Sequence, residues 1–390
     1  MFAARTDWVL TPNRLSRHIA ERRRQGLEVL DLTESNPTHC GFEAPEEILQ
    51  AFGDPRSLIY EPDPRGLVRA REAVCDYYAA RGTRVSPEQI FLTTSTSEAY
   101  SYVFRLLADP GDKVLIPQPS YPLFHFLAGL NDLEAVSYPL RYDQHWHIDL
   151  EIAANCLSPR AKAIVVVHPN NPTGSYVKTD ELSFLTDVCQ KNQTALIADE
   201  VFADYAFEKG GQRVASHAGM SQVLTFTLSG LSKISALPQM KLGWMVVSGP
   251  PELLSGALER LEVIADTYLS VSAPLAHALP KLLERRAAVQ PKIMERLRRN
   301  LARVDEAIRA CPNLLRLESE GGWYAILQVP ATLSDEDWAV ELLSQEGVLV
   351  HPGHFYDFPN DGYLVISLLT DEEILQEGMT RILARVAKSG

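Results

Sequence analysis

Ala163-Ile164-Val165-Val166-Val167 is apolar without alternation and opens directly into His168-Pro169-Asn170-Asn171-Pro172-Thr173-Gly174. A strand with one wet face alternates apolar and polar residues. A run apolar at every position fits a strand buried on both faces, as in a mainly parallel sheet covered by helices. Further runs of strand length lie on either side, at residues 89–92, 113–116, 135–138, 195–198, 223–228 and 243–247. Most are separated by helix-length segments such as 97–107 and 180–190. The order predicts an α/β fold: a three-layer large domain around a mainly parallel sheet of about seven strands.

Beyond about Leu253 the pattern changes. Long helices are expected at 259–267, 274–287 and 293–310. Shorter strands follow at 323–328, 348–351 and 362–368, then a closing helix at 371–388. That mixture reads as a smaller α+β domain. At the other end, residues 1–30 read as an arm, broken at Pro12-Asn13-Arg14 and helical to about Arg24. A short strand at 30–33 leads into the turn Ser35-Asn36-Pro37-Thr38, and apolar spacing predicts a helix within 66–82. The expected division is 1–50 for the arm and part of the small domain, 51–285 for the large domain, and 286–390 for the C-terminal small domain.

Of 390 residues, 46% are hydrophobic and 22% charged, which is globular composition with room for a large core. The net charge of −13 disfavours a nucleic-acid partner, because neutralising phosphates takes clustered Lys and Arg. The basic cluster within 17–24 reads as the solvated face of a short helix. Cys40, Cys75, Cys156, Cys189 and Cys311 are far apart and form no CxxC or Cys/His cluster. They read as reduced thiols in a cytoplasmic protein without a metal site. Residues 1–10 lack a signal-peptide pattern, and no apolar run approaches the ~20 residues that span a bilayer.

In parallel sheets the binding crevice lies at the carboxyl ends of the strands, and the unusual residues of this chain fall there. Thr93-Thr94-Ser95-Thr96-Ser97-Glu98 leads from strand to helix, where hydroxyls and free N–H groups suit a phosphate as well as a simple cap. Pro119-Ser120-Tyr121-Pro122 presents an aromatic in a stiff turn, for stacking on a flat ring or for packing. Asn171 stands before a proline, placed to bond a ligand oxygen in a segment that otherwise reads as a turn. Asp199 ends the next strand, either as a helix cap or as a carboxylate that keeps a ring nitrogen protonated and makes the ring an electron sink. Ser229-Gly230-Leu231-Ser232-Lys233 ends another, and a lysine there is either solvated or a nucleophilic amine able to form a Schiff base.

In order and spacing these pieces resemble the fold-type-I, pyridoxal-phosphate-dependent aminotransferases of class I/II. The likeness runs from Ser35-Asn36-Pro37 through Tyr60, Gly66 and the Ser/Thr loop to 353–358 and 362–367. It implies pyridoxal 5′-phosphate as cofactor and a ping-pong transfer of an amino group between an amino acid or amine and a keto compound. Lys233 would carry the Schiff base and shuttle the proton. Asp199 would pair with the pyridinium nitrogen, Asn171 with the 3′ oxygen, and Tyr121 would stack on the ring. Ser95, Thr96, Ser97, Ser232 and Lys241 would hold the phosphate, joined by Tyr60 from the other subunit of a homodimer with shared sites. Ser35 and Asn171 would face the substrate. Lyase, decarboxylase or synthase chemistry on the same fold is the alternative. A non-catalytic cofactor-binding regulator is a further one, against which stands the lack of a basic helix-turn-helix extension.

Four positions depart from the family pattern. Lys241 replaces a phosphate-binding arginine, which keeps the charge and loses the bidentate fork. Phe202 replaces a tyrosine and Gly230 a serine, for which Ser229 or Ser232 could substitute. In Tyr363-Leu364-Val365-Ile366-Ser367, Val365 occupies the place of the arginine that grips a substrate α-carboxylate. Arg65, His351 and His354 are the alternative cations, and an unusual amino donor or a rearranged clamp is expected.

Overall fold

The computed structural model describes residues 1–208, 211–269, 271–309 and 311–388. Strand β1 is Leu30–Asp31. The large sheet contains β2 (Ile90–Thr93), β3 (Lys113–Gln118), β4 (Glu134–Tyr142), β5 (Trp146–Ile148), β6 (Ala161–Val167), β7 (Ala195–Asp199), β8 (Thr225–Gly230) and β9 (Gly243–Ser248). Their order across the sheet is β2-β9-β8-β7-β6-β3-β4-β5. The pairs from β8 to β4 are parallel, and only β9 and β5 run against the rest.

The unbroken apolar runs have a direct cause. Ala163, Val165 and Val167 enter one core with Val114, Ile116 and Ile197. Ile164 and Val166 enter another with Leu115, Leu196 and Ala198. Each face therefore buries alternate residues of the same strand, and neither is left for polar side chains. The seven runs predicted from the sequence are all strands; Trp146–Ile148, three residues long, adds an eighth at the edge.

The smaller sheet contains β10 (Leu315–Leu317), β11 (Tyr324–Gln328), β13 (His351–Pro352) and β14 (Tyr363–Ser367), antiparallel in the order β10-β11-β14-β13. Between β11 and β13, strand β12 (Val348–Leu349) pairs in parallel with β1, so the arm is stitched into this region. The single strand expected over 348–351 is thus two, because the chain changes partner at Val350. The helices expected at 259–267, 274–287 and 293–310 are Pro251–Tyr268, Ala273–Glu284 and Arg286–Ile308. Residue 310 lies outside the described residues, as do 389–390 of the expected C-terminal domain. The break falls at Arg285, whose guanidinium donates to the carbonyls of Ser235 at 3.0 Å and Phe42 at 2.8 Å. Among the described residues no helix is long and apolar enough to cross a membrane.

Candidate active site

β2, β3, β6, β7 and β8 point the same way, so the loops that follow them leave one edge of the sheet. β9 runs against them and starts at that edge, with Thr93 and Gly230 both in register with Gly243. This topology collects residues more than a hundred positions apart into one crevice.

Lys233 sits in the helical turn Leu231–Ile234 that continues β8. Its backbone carbonyl accepts from Tyr205 Oη at 2.6 Å. Its Nζ lies 4.8 Å from the ring centre of Trp323 and 5.3 Å from that of Phe202. Burial against these rings disfavours the ammonium and lowers it to about 8, with Asp199 opposing the shift. Asp199, buried at the end of β7, moves the other way. Burial raises its carboxyl to about 6, against the pull of three favourable partners. Val201 N–H donates to Oδ1 at 3.1 Å, Tyr100 Oη donates to Oδ2 at 3.2 Å, and Lys233 adds its charge.

Tyr100 is a site residue that the sequence reading missed. It is buried on the helix Thr96–Leu107, and its ring packs against Phe104 and Phe124. Its one sequence signal is its place four residues after Thr96, on the same helix face.

The two asparagines after β6 divide the work between them. Asn170 holds the turn: Nδ2 donates to Pro119 O at 3.0 Å and Thr173 Oγ1 at 2.9 Å, while Oδ1 accepts from Ser120 Oγ at 2.7 Å. Asn171 is also buried, but its Oδ1 has no hydrogen-bond partner among the described residues. A buried amide end without a partner is costly unless a ligand meets it. Gly174 closes the turn at φ +70°; a Cβ there would stand 2.3 Å from the carbonyl oxygen of Gly321.

At the start of the helix after β2, Ser95 Oγ accepts from Glu98 N–H at 3.1 Å, and the Glu98 carboxylate accepts from Thr94 N–H at 2.7 Å. Ser95 is therefore engaged as the cap. Thr96 and Ser97, half-buried in the first turn, keep their hydroxyls clear of this pattern. Two glycines bring backbone close to this helix start. A Cβ on Gly243 would lie 3.3 Å from Thr96 N, and one on Gly230 would lie 2.9 Å from Gly243 Cα. Glycine at 230 is thus required by its neighbour. Ser229 does not replace the missing serine, because it is buried in the strand with Oγ 3.5 Å from the Glu200 carbonyl. Ser232 is half-buried, and Lys241 is exposed at φ +50° beside the start of β9.

Tyr121 is 43% exposed at this edge, and burial followed by the charge of Asp199 raises its phenol above the usual range. Ser35 Oγ accepts from Tyr324 Oη at 3.0 Å. Tyr60 stands apart, 81% exposed in a stretch with exposed Leu58 and Ile59. Val365 is fully buried in β14. Of the alternative cations, Arg65 is tied to Glu262 at 2.7 Å and Glu88 at 3.3 Å, over the ring of Phe91. His354 is exposed against Phe355, whereas His351 is half-buried and directly opposite Val365.

The family model for aminotransferase class I and II matches residues 28–382. The glutamate-pyruvate aminotransferase AlaA of Haemophilus influenzae is 28% identical over 92% of this chain and 90% of its own length. The alanine aminotransferase of Mycobacterium tuberculosis H37Rv is 28% identical over 94% of this chain and 87% of its own length. Among solved structures, an aminotransferase from Escherichia coli superposes with a TM-score of 0.87 at 26% identity, covering 99% of this chain and 98% of that one.

Proposed function

The chain belongs to the class I and II aminotransferases and is a transaminase; from that premise we propose that it holds pyridoxal 5′-phosphate in the crevice around Lys233 and works as a homodimer in the cytoplasm. The family depends on this cofactor, and the residues present fit it. The observation that carries the reading is the pairing of an amine lowered to about 8 with a buried carboxylate raised to about 6, beside an Asn171 amide with an unpartnered end. Each of these arrangements costs stability in an empty protein and is relieved by a ligand with a ring nitrogen, a phenolic oxygen and a carbonyl.

In this reading Asp199 holds the ring nitrogen, Asn171 the 3′ oxygen, and Tyr121 covers one ring face. Thr96, Ser97 and Ser232 offer hydroxyls to the phosphate, and Lys241 a point charge. Ser95 contributes by keeping the helix start open. Tyr60 serves the partner's site, for which its exposure suits it. With the domains divided at about residues 50 and 285, Tyr324 and Ser35, which are hydrogen-bonded to each other, would belong to the small domain and face the substrate.

The bound cofactor supplies an electron sink for the charge left on a carbon that loses its proton. The chain supplies the rest. With the cofactor bound, Lys233 Nζ would be the group that holds and moves the proton of the donor's amine-bearing carbon. The rings of Phe202 and Trp323 shield that nitrogen from water and keep its proton affinity low. Phe202 offers no hydroxyl to the 3′ oxygen, so Asn171 carries that contact. A half-reaction tests the proposal: an amino donor should convert the loaded enzyme's visible spectrum to that of the amine form, and a keto compound should restore it. Production of ammonia without any acceptor would point to lyase chemistry instead.

A further inference from the structure

Residues directly opposite across an antiparallel pair share a face of the sheet, as do residues two apart on one strand. Val365 is opposite Ile326 on β11 and His351 on β13. Tyr324 lies two before Ile326, so Tyr324, Val365 and His351 share one face. Two hydrogen-bonded couples stand there. Tyr324 Oη donates to Ser35 Oγ at 3.0 Å, and His351 Nδ1 is 3.0 Å from Tyr356 Oη.

These groups connect to the lysine through rings. Phe202, 5.3 Å from Lys233 Nζ, meets Tyr324 with ring centres 6.4 Å apart. Tyr324 meets Tyr356 at 6.4 Å, and Tyr356 meets His351 at 5.8 Å. Tyr121 acts electrostatically on both Tyr324 and Tyr356, which places it at the same wall.

Among the described residues, the charged groups that act most on this wall are carboxylates. Asp31 acts on the His351 imidazole and Glu34 on the Tyr324 phenol. A carboxylate bound here would be buried among neutral donors within the field of two other carboxylates, at a large desolvation cost, and among the described residues no lysine or arginine hydrogen-bonds to these four side chains. An uncharged oxygen would accept from the same donors without that cost.

We propose that Ser35, Tyr324, His351 and Tyr356 are the specificity-determining residues of this site, and that they select an amino compound whose neighbouring group is an uncharged oxygen acceptor, as in an amino amide or amino alcohol, over one with an α-carboxylate. The inference rests on the transaminase reading. The donor's C–N bond is replaced by C=O with oxygen from water, and its nitrogen passes by way of the cofactor to a keto acceptor, so no outside oxidant is consumed.

Matched donors test it: alanine, alaninamide and 2-amino-1-propanol, each mixed with the cofactor-loaded enzyme while the visible spectrum is followed. The expected kcat/KM favours alaninamide over alanine by about tenfold or more. Tyr324→Phe and His351→Phe should collapse that ratio toward unity, and His351→Arg should turn it toward alanine. As a readout apart from turnover, ligand-observed NMR should show propionamide binding the loaded enzyme more tightly than propionate. Alanine reacting as well as or better than alaninamide overturns the clamp, as does a ratio that both Phe variants leave unchanged. If no donor alters the spectrum, the transaminase reading itself falls and takes the clamp with it.

Discussion

Tyr100 reaches Asp199 with a single hydroxyl, so its contribution can be removed one atom at a time. Tyr100→Phe keeps the packing on Phe104 and Phe124 and deletes one hydrogen bond to a buried carboxylate, an interaction of about 1.5–3 kcal/mol. The dissociation constant for pyridoxal phosphate, followed by absorbance, should rise about tenfold or more, and the cofactor-free protein should lose stability of the same order, read as a lower urea midpoint. Unchanged affinity would show that Val201 and Lys233 orient Asp199 without it. Lys233 makes a pH prediction. Its amine is lowered to about 8, and the neutral form is the nucleophile. Loading of the cofactor onto the cofactor-free protein should therefore speed up as pH rises through about 8 and level off above it. A profile still climbing at the ordinary lysine range would contradict the burial. Lys233, Asp199 and Asn171 were legible in the sequence only together, because each alone also reads as a turn lysine, a helix cap or a turn amide, and their order and spacing carry the resemblance. Tyr100 was not, because an aromatic at helical spacing looks like core. The division between Asn170 and Asn171 was not legible either, because two adjacent amides differ only in what surrounds them.

At the scale of elements, the sheet was readable because burial on both faces imprints on every residue of a strand. Breaks governed by distant partners leave no such imprint. The change of partner at Val350 depends on β1 from the arm and β14 from beyond, and the helix break at Arg285 depends on carbonyls of Phe42 and Ser235. Gly174 is an element-scale test, since it lets the turn after β6 lie against the backbone of Gly321. Gly174→Ala meets that carbonyl and a left-handed φ together, and it should destabilise the protein by roughly 1–3 kcal/mol, read as a lower urea midpoint. An unshifted midpoint would mean that the contact between the turn and residue 321 is not held in solution.

For the whole molecule, Ile59, Tyr60 and Leu269 line one cavity while largely exposed, with exposed Leu58 next to them in sequence, an apolar surface of the kind that associating proteins bury. If Tyr60 serves the partner's site, Tyr60→Ala and Lys233→Ala should each be inactive alone and complement when mixed. A statistical mixture of such dimers retains one intact site in half of its molecules, about a quarter of full activity. No recovery would place Tyr60 outside the partner's site. The sequence could raise Tyr60 only by resemblance, because an exposed tyrosine in one chain carries no mark of where its partner lies.

The central claim is that Lys233 carries the cofactor. Borohydride reduction of the loaded enzyme, followed by peptide mass mapping, tests it most directly. A single pyridoxyl label on Lys233, absent from Lys233→Ala, is expected. A label on Lys241, or no covalent label on the loaded protein, would contradict it.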